Sequence, residues 1–86
     1  MKKVTVYTID PCPYCTQAKS LLQSKGVSFE EVRVQRDDDA MREALLRKSG
    51  MRTFPQIFFG DELVGGYAEL KRLEDTHGIL KALGRS

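Results

Sequence analysis

The chain is poor in metal ligands, in basic clusters and in long apolar runs. Its 86 residues include two cysteines and one histidine. Zinc usually takes four ligands, and Cys12, Cys15 and His77 fall one short, so a metal site would need a second subunit and none is expected. Asp37-Asp38-Asp39 is better read as acidic residues capping and charging a helix N-terminus than as a metal cluster. His77, just before Gly78, reads as a helix C-terminal cap. A net charge of +2 is too small to argue for nucleic acid or a membrane surface, and no basic block is interleaved with aromatics. No apolar run approaches membrane-span length. The basic start Met1-Lys2-Lys3-Val4 is followed by no apolar stretch of the kind a secretory signal carries. There is no internal repeat, low-complexity tract or linker. One compact domain over residues 1–86 is expected, with room for a single small core. Its expected place is the cytoplasm, where paired thiols are catalytic more often than structural.

What is present is concentrated in Cys12-Pro13-Tyr14-Cys15. Lys3-Val4-Thr5-Val6-Tyr7-Thr8 before it is rich in β-branched residues and reads as a strand. Thr16 to Lys25 after it carries Ala18, Leu21 and Leu22 at helical spacing, with Gly26 placed to stop the helix. Pro13 then falls at the first helical position, where its missing N–H costs nothing, and Cys12 becomes the N-cap. A thiolate there can accept hydrogen bonds from the N–H groups of Tyr14 or Cys15, which the helix leaves unpaired. The positive end of the helix dipole also favours the anion. Both effects lower a thiol pKa, and the thiolate is the nucleophile. Cys15 lies one turn on, within reach of a disulfide, so the pair reads as redox-active. Two plainer readings stand beside this one. A structural disulfide closing so short a loop would restrain the unfolded chain by only about 2 kcal/mol. Half of a metal site would need ligands from another subunit.

The rest of the chain supplies a small α/β sandwich. Val27 to Val34 reads as a second strand, although Phe29 and Val32 cannot share a face unless a bulge or a late strand start intervenes. Strand, helix, strand in this order implies a parallel βαβ unit. A helix follows the three aspartates and runs to about Ser49, with Met41, Ala44, Leu45 and Lys48 on one face and Gly50 ending it. Met51 to Pro55 is loop and Gln56-Ile57-Phe58-Phe59 a strand. Gly60-Asp61 fits a two-residue hairpin turn, and Glu62-Leu63-Val64 returns antiparallel. Beyond Gly65-Gly66, apolar helical spacing from Tyr67 to Leu83 breaks near His77-Gly78, which predicts two short helices. The order βαβ-α-ββ-α is an α/β fold with a four-stranded mixed sheet.

Cys12-Pro13-Tyr14-Cys15 after a strand, Thr53-Phe54-Pro55-Gln56-Ile57-Phe58 later, and Gly65-Gly66 before the third helix together resemble the dithiol glutaredoxins, from Val4 to about Leu83. The resemblance implies a thioredoxin fold with helices flanking the sheet. It implies a glutathione-dependent oxidoreductase that reduces protein disulfides and glutathionylated proteins and contributes to cell redox homeostasis and electron transfer. Glutathione would be a co-substrate, with no permanently bound cofactor, and the protein a monomer. Cys12 would attack and Cys15 resolve the mixed disulfide. A cis Pro55 would bring the Phe54 backbone beside the thiols, where glutathione can pair in strand fashion. Tyr14, Thr53 and Phe54 would line the groove. Tyr67, Ala68 and Glu69 would offer a helix N-terminus to the γ-glutamyl carboxylate. Three positions depart from the family's habit. Ile9 stands where many relatives have Lys or Arg, Tyr67-Ala68-Glu69 where many have Cys-Asp-Asp, and Phe54 where Val is common. Arg52 or Lys71 is the expected substitute for the lost positive charge. The alternatives are a redoxin recharged by thioredoxin reductase and serving ribonucleotide reductase, or an iron–sulfur cluster-binding dimer, against which Pro13 weighs.

Overall fold

The computed structural model describes residues 2–84, so Met1, Arg85 and Ser86 of the expected 1–86 domain lie outside the described residues. The elements in chain order are β1 (Val4–Thr8), α1 (Pro13–Ser24), β2 (Glu30–Arg33), α2 (Asp39–Ser49), β3 (Gln56–Phe59), β4 (Glu62–Gly65), α3 (Tyr67–Thr76) and α4 (Ile79–Ala82). The strands form one sheet in the order β2-β1-β3-β4. β1 runs parallel to β2 and antiparallel to β3, and β4 returns antiparallel to β3. This is the four-stranded mixed sheet expected from the order of elements, in the thioredoxin-like arrangement that the resemblance implies.

Each boundary has a local cause. Helix α1 ends in a Schellman arrangement: Gly26 N–H donates to Gln23 O and Val27 N–H to Leu22 O, both at 3.0 Å. Gly26 takes φ +69° there, the left-handed conformation that side-chain-bearing residues avoid. The same turn drops Val27 into the core beside Leu22. The periodicity conflict over Val27 to Val34 is resolved by a late start, because pairing with β1 begins only at Glu30. Residues 27–29 are connection, so Val27 and Phe29 can both turn inward without obeying strand alternation.

Helix α2 is capped by Asp38, whose carboxylate accepts from Met41 N–H at 3.1 Å. It buries Leu45 with Leu46 half-buried, whereas Ala44 and Lys48, expected on the inner face, are exposed. The Lys48 ammonium lies over the Phe58 ring at 4.6 Å, a cation–π contact that draws the stem across an aromatic surface. Between β3 and β4 the two-residue turn at Gly60-Asp61 is followed by a register shift, with Phe58 opposite Leu63 but Ile57 opposite Gly65. The break near His77-Gly78 is real: α3 ends with His77 N–H bonded to Leu73 O at 2.9 Å, and α4 follows as a separate short helix. Val6, Ala18, Leu22, Ile57, Leu70 and Ile79 are fully enclosed between the sheet and α1, α3 and α4. Burying a side chain of Val or Leu size contributes roughly 1.5–3 kcal/mol. That core fixes the sheet end from which the cysteine loop emerges.

Candidate functional site

Cys12 and Cys15 are joined as a disulfide, with their Cα atoms 5.2 Å apart. Cys12 is the N-cap of α1 and Pro13 its first helical residue, as the motif predicts. The Cys12 sulfur accepts a hydrogen bond from Cys15 N–H at 3.1 Å. The two sulfurs differ in access: Cys12 is half-buried at the helix tip, while Cys15 is 3% exposed. A sulfur at an N-cap with an amide already aimed at it can hold negative charge when reduced.

The Phe54–Pro55 peptide is cis. The loop that carries it is tied down from below by Gln56, whose amide donates to Met51 O and Thr53 O, both at 3.1 Å. A groove of about 420 Å³ opens over this loop, lined by Tyr14, Met51, Thr53, Phe54, Pro55, Gly66, Tyr67, Ala68 and Glu69. Seven of the residues expected to bind glutathione therefore share one groove, and Tyr14 connects it in the chain to both cysteines. The Tyr14 and Tyr67 rings stack with centroids 6.1 Å apart, forming one wall. Tyr14 is 60% exposed.

Helix α3 presents its first turn to the groove. Gly66 is its N-cap, and Tyr67, Ala68 and Glu69 are its first three residues. Glu69 folds back so that its carboxylate accepts from Gly66 N–H at 2.8 Å. The amides of Tyr67 and Ala68 have no carbonyl within the helix to bond and are disposed toward an anion. Gly65, at φ +124°, lies so close to Glu69 that an added Cβ would meet the Glu69 Cγ at 2.8 Å. The tight turn and the folded carboxylate are thus one feature.

The two candidate cations differ in their surroundings. Lys71 is paired with Asp75 at 2.8 Å on the exposed side of α3, and the hydrogen bond and charge of Asp75 raise its pKa. Arg52 opens onto a neighbouring groove with Asp39, Arg42 and Glu43, and that groove shares Met51 and Phe54 with the first. Ile9 is 7% exposed and packed inward. The loop after it is held instead by Arg36, whose Nη2 donates to Pro11 O at 3.1 Å and whose Nε donates to Asp10 O. Arg33 pairs with the Asp10 carboxylate at 3.1 Å. Arg36 and Met51 belong to no motif, whereas Gln56 and Gly66 stand in the motifs that carry the resemblance, with no role assigned to them there. The Arg36 contacts depend on how distant segments meet, so no local pattern announces them, whereas the Gln56 amide reaches carbonyls of its own loop. A larger groove of about 500 Å³ between β4 and α3 carries no sulfur. Among the described residues no three His, Cys, Asp or Glu side chains gather to hold a metal ion. No helix among them is long and apolar enough to cross a membrane.

Comparison with known proteins gives a consistent picture. The family model described as Glutaredoxin matches residues 4–64. Glutaredoxin 3 of Escherichia coli K12 is 43% identical over 79 residues, covering 92% of this chain and 94% of that protein. Among solved structures, the solution structure of glutaredoxin from Brucella melitensis matches with a TM-score of 0.81 and 40% identity, over 100% of this chain and 95% of that one. The crystal structure of a buckwheat glutaredoxin–glutathione complex matches with a TM-score of 0.87 and 26% identity, over 96% and 77%.

Proposed function

This chain belongs to the glutaredoxin family, and from that premise we propose that Cys12 is the attacking sulfur and Cys15 the resolving one. The protein is a glutathione-dependent thiol–disulfide oxidoreductase that works through the Cys12–Cys15 pair. The observation that supports the division of labour is the difference in access, with Cys12 at the open helix tip and Cys15 enclosed. Only a sulfur that a substrate can approach along the S–S axis can begin the exchange.

With a glutathionylated protein, the Cys12 thiolate attacks the glutathione sulfur. The protein leaves as a thiolate that takes up a proton, and Cys12 carries the glutathione. A second glutathione thiolate attacks that sulfur, releasing oxidised glutathione and regenerating the Cys12 thiolate. With a protein disulfide, Cys12 forms a mixed disulfide with one substrate sulfur. The Cys15 thiolate then displaces the substrate, closing Cys12–Cys15, and two glutathiones reopen it. The groove over Thr53, Phe54 and Pro55 takes the glutathione backbone as an added strand. Tyr14 and Tyr67 flank it, and the free amides of α3 at Tyr67 and Ala68 receive a carboxylate. Glu69 lines the same groove and caps Gly66 N–H, which holds the start of α3 in place for the ligand.

The protein works as a single domain and a monomer in this reading, to be checked by sedimentation. The need for a reduced glutathione pool supports a cytoplasmic location. Ribonucleotide reductase, whose turnover leaves a disulfide, is a candidate acceptor.

The deciding experiment couples NADPH oxidation through glutathione reductase to a glutathionylated peptide. Wild type and Cys15→Ser are expected to turn over at comparable rates, Cys12→Ser not at all. Reduction of a protein disulfide is expected only in wild type. Equal loss from both substitutions rejects the division of labour. Activity that appears only with thioredoxin reductase rejects glutathione as the electron source.

A further inference from the structure

The segment Asp10-Pro11 delivers Cys12 from β1, and the connection between β2 and α2 closes around it. Arg36 places one guanidinium against two successive carbonyls, those of Asp10 and Pro11. The second belongs to the peptide unit whose nitrogen is that of Cys12. Arg36 is itself held, because Arg42 Nη1 donates to its carbonyl at 2.8 Å.

Among the charges around this loop, Arg36 stands outside the ion pairs. Asp10, two residues from the sulfur, is neutralised by Arg33 at 3.1 Å. Glu31 faces Lys19 at 3.0 Å and Arg33 at 3.7 Å. From α3, Glu69 is committed to Gly66 N–H. Asp37 lines the same surface groove as Arg36 but forms no ion pair among the described residues. Arg36 is thus a cation whose partners are neutral carbonyls, and a guanidinium stays charged at any working pH.

We propose that Arg36 is a positioning residue for the attacking sulfur: it fixes the Asp10-Pro11 approach to Cys12 and keeps a permanent positive charge on the peptide unit that leads into Cys12. The proposal rests on the reading of Cys12 as that sulfur. Two consequences are separable. The planar fork sets where the N-cap residue sits, and the charge favours the ionised form of its side chain.

The test uses the full chain with Cys15→Ser, which leaves a single thiol, and measures the rate of alkylation by iodoacetamide against pH. Arg36→Gln is expected to move the Cys12 transition to higher pH and to slow alkylation below that transition roughly three- to tenfold. Arg36→Lys, which keeps the charge and loses the fork, is expected to fall between Gln and the parent. An alkylation profile in Arg36→Gln that overlays the parent overturns the proposal. Should Arg36→Gln fail to fold, the Lys variant decides, and a profile unchanged in it overturns the positioning role of the fork. Alkylation reports the sulfur itself and needs no turnover. Transfer activity surviving in Cys12→Ser would sink the functional reading instead, so the two failures are distinct.

Discussion

Gln56 governs the groove from beneath it. Its side chain is 1% exposed, and both of its amide hydrogens go to carbonyls of the loop that carries Thr53, Phe54 and Pro55. The amide orientation follows from those partners, since a flipped group would set its oxygen against two other oxygens. Gln56→Leu keeps the approximate volume but strips both carbonyls of their donor. The expected cost is about 1–3 kcal/mol of stability. The KM for a glutathionylated peptide is expected to rise severalfold, while the pH profile of Cys12 alkylation stays put. Unchanged KM in a folded Gln56→Leu protein would refute the loop-holding role. At this scale the cysteines and the residues that share the groove were legible, and the side chain that holds the cysteine loop was not. An N-cap Cys followed by Pro is a local statement in three residues, and the sequence carries it whole. Arg36 meets Asp10 across 26 positions of chain, so nothing near either residue records the meeting. Lys71 illustrates the converse: it was a candidate cation by type, and Asp75 one turn away had already taken it.

Among the elements, α3 is the one whose start matters most to the site. Gly65 and Glu69 interlock, and the left-handed backbone of Gly65 admits no side chain without displacing the carboxylate. Gly65→Ala combines an unfavourable φ with a steric conflict and is expected to cost more than about 1 kcal/mol. It should also free Gly66 N–H of its cap, lowering both the melting temperature and the affinity for glutathione. Gly66→Ala is the control, because its backbone is extended and its nearest neighbour would be Glu69 Oε1 at 3.4 Å. Equal effects from the two substitutions would contradict this account. Helix ends were readable throughout because caps are short-range: Asp38, Gly26, Gly50 and the His77-Gly78 break all fall where their residue types demand. The start of β2 was not, since Val27 and Phe29 are apolar for a reason other than strand pairing. They fill the core from a connection, and apolar content alone cannot distinguish that from a strand. Ala44 and Lys48 misled in the same way, by fitting a helical face whose burial is decided by Leu45 and Leu46.

For the molecule as a whole, Glu31 is a point where three elements meet. Thr8 of β1 donates to its carboxylate at 2.8 Å and Lys19 of α1 at 3.0 Å, with Arg33 further off. The Thr8 hydroxyl first, and Lys19 after it, hold this carboxyl below the usual carboxylate range. A lowered folded-state pKa contributes stability that is complete above the unfolded value of about 4.3 and is lost as pH falls through the lower folded value. The contribution is modest for a partly exposed group, on the order of 1 kcal/mol or less. Urea midpoints measured from pH 7 down to 3 should fall less steeply in Glu31→Gln than in wild type. Parallel acid limbs would show that the carboxylate has no such role.

The two outer strands of the sheet, β2 and β4, have only four residues each and carry ionic groups. Glu30 is paired with Lys3 at 2.9 Å and Glu62 with Lys2 at 2.6 Å. Short, charged borders give a passing chain little to add itself to. A catalyst that must meet many oxidised proteins at one sulfur, and then let each go, is thereby kept from clinging to its clients by its flanks.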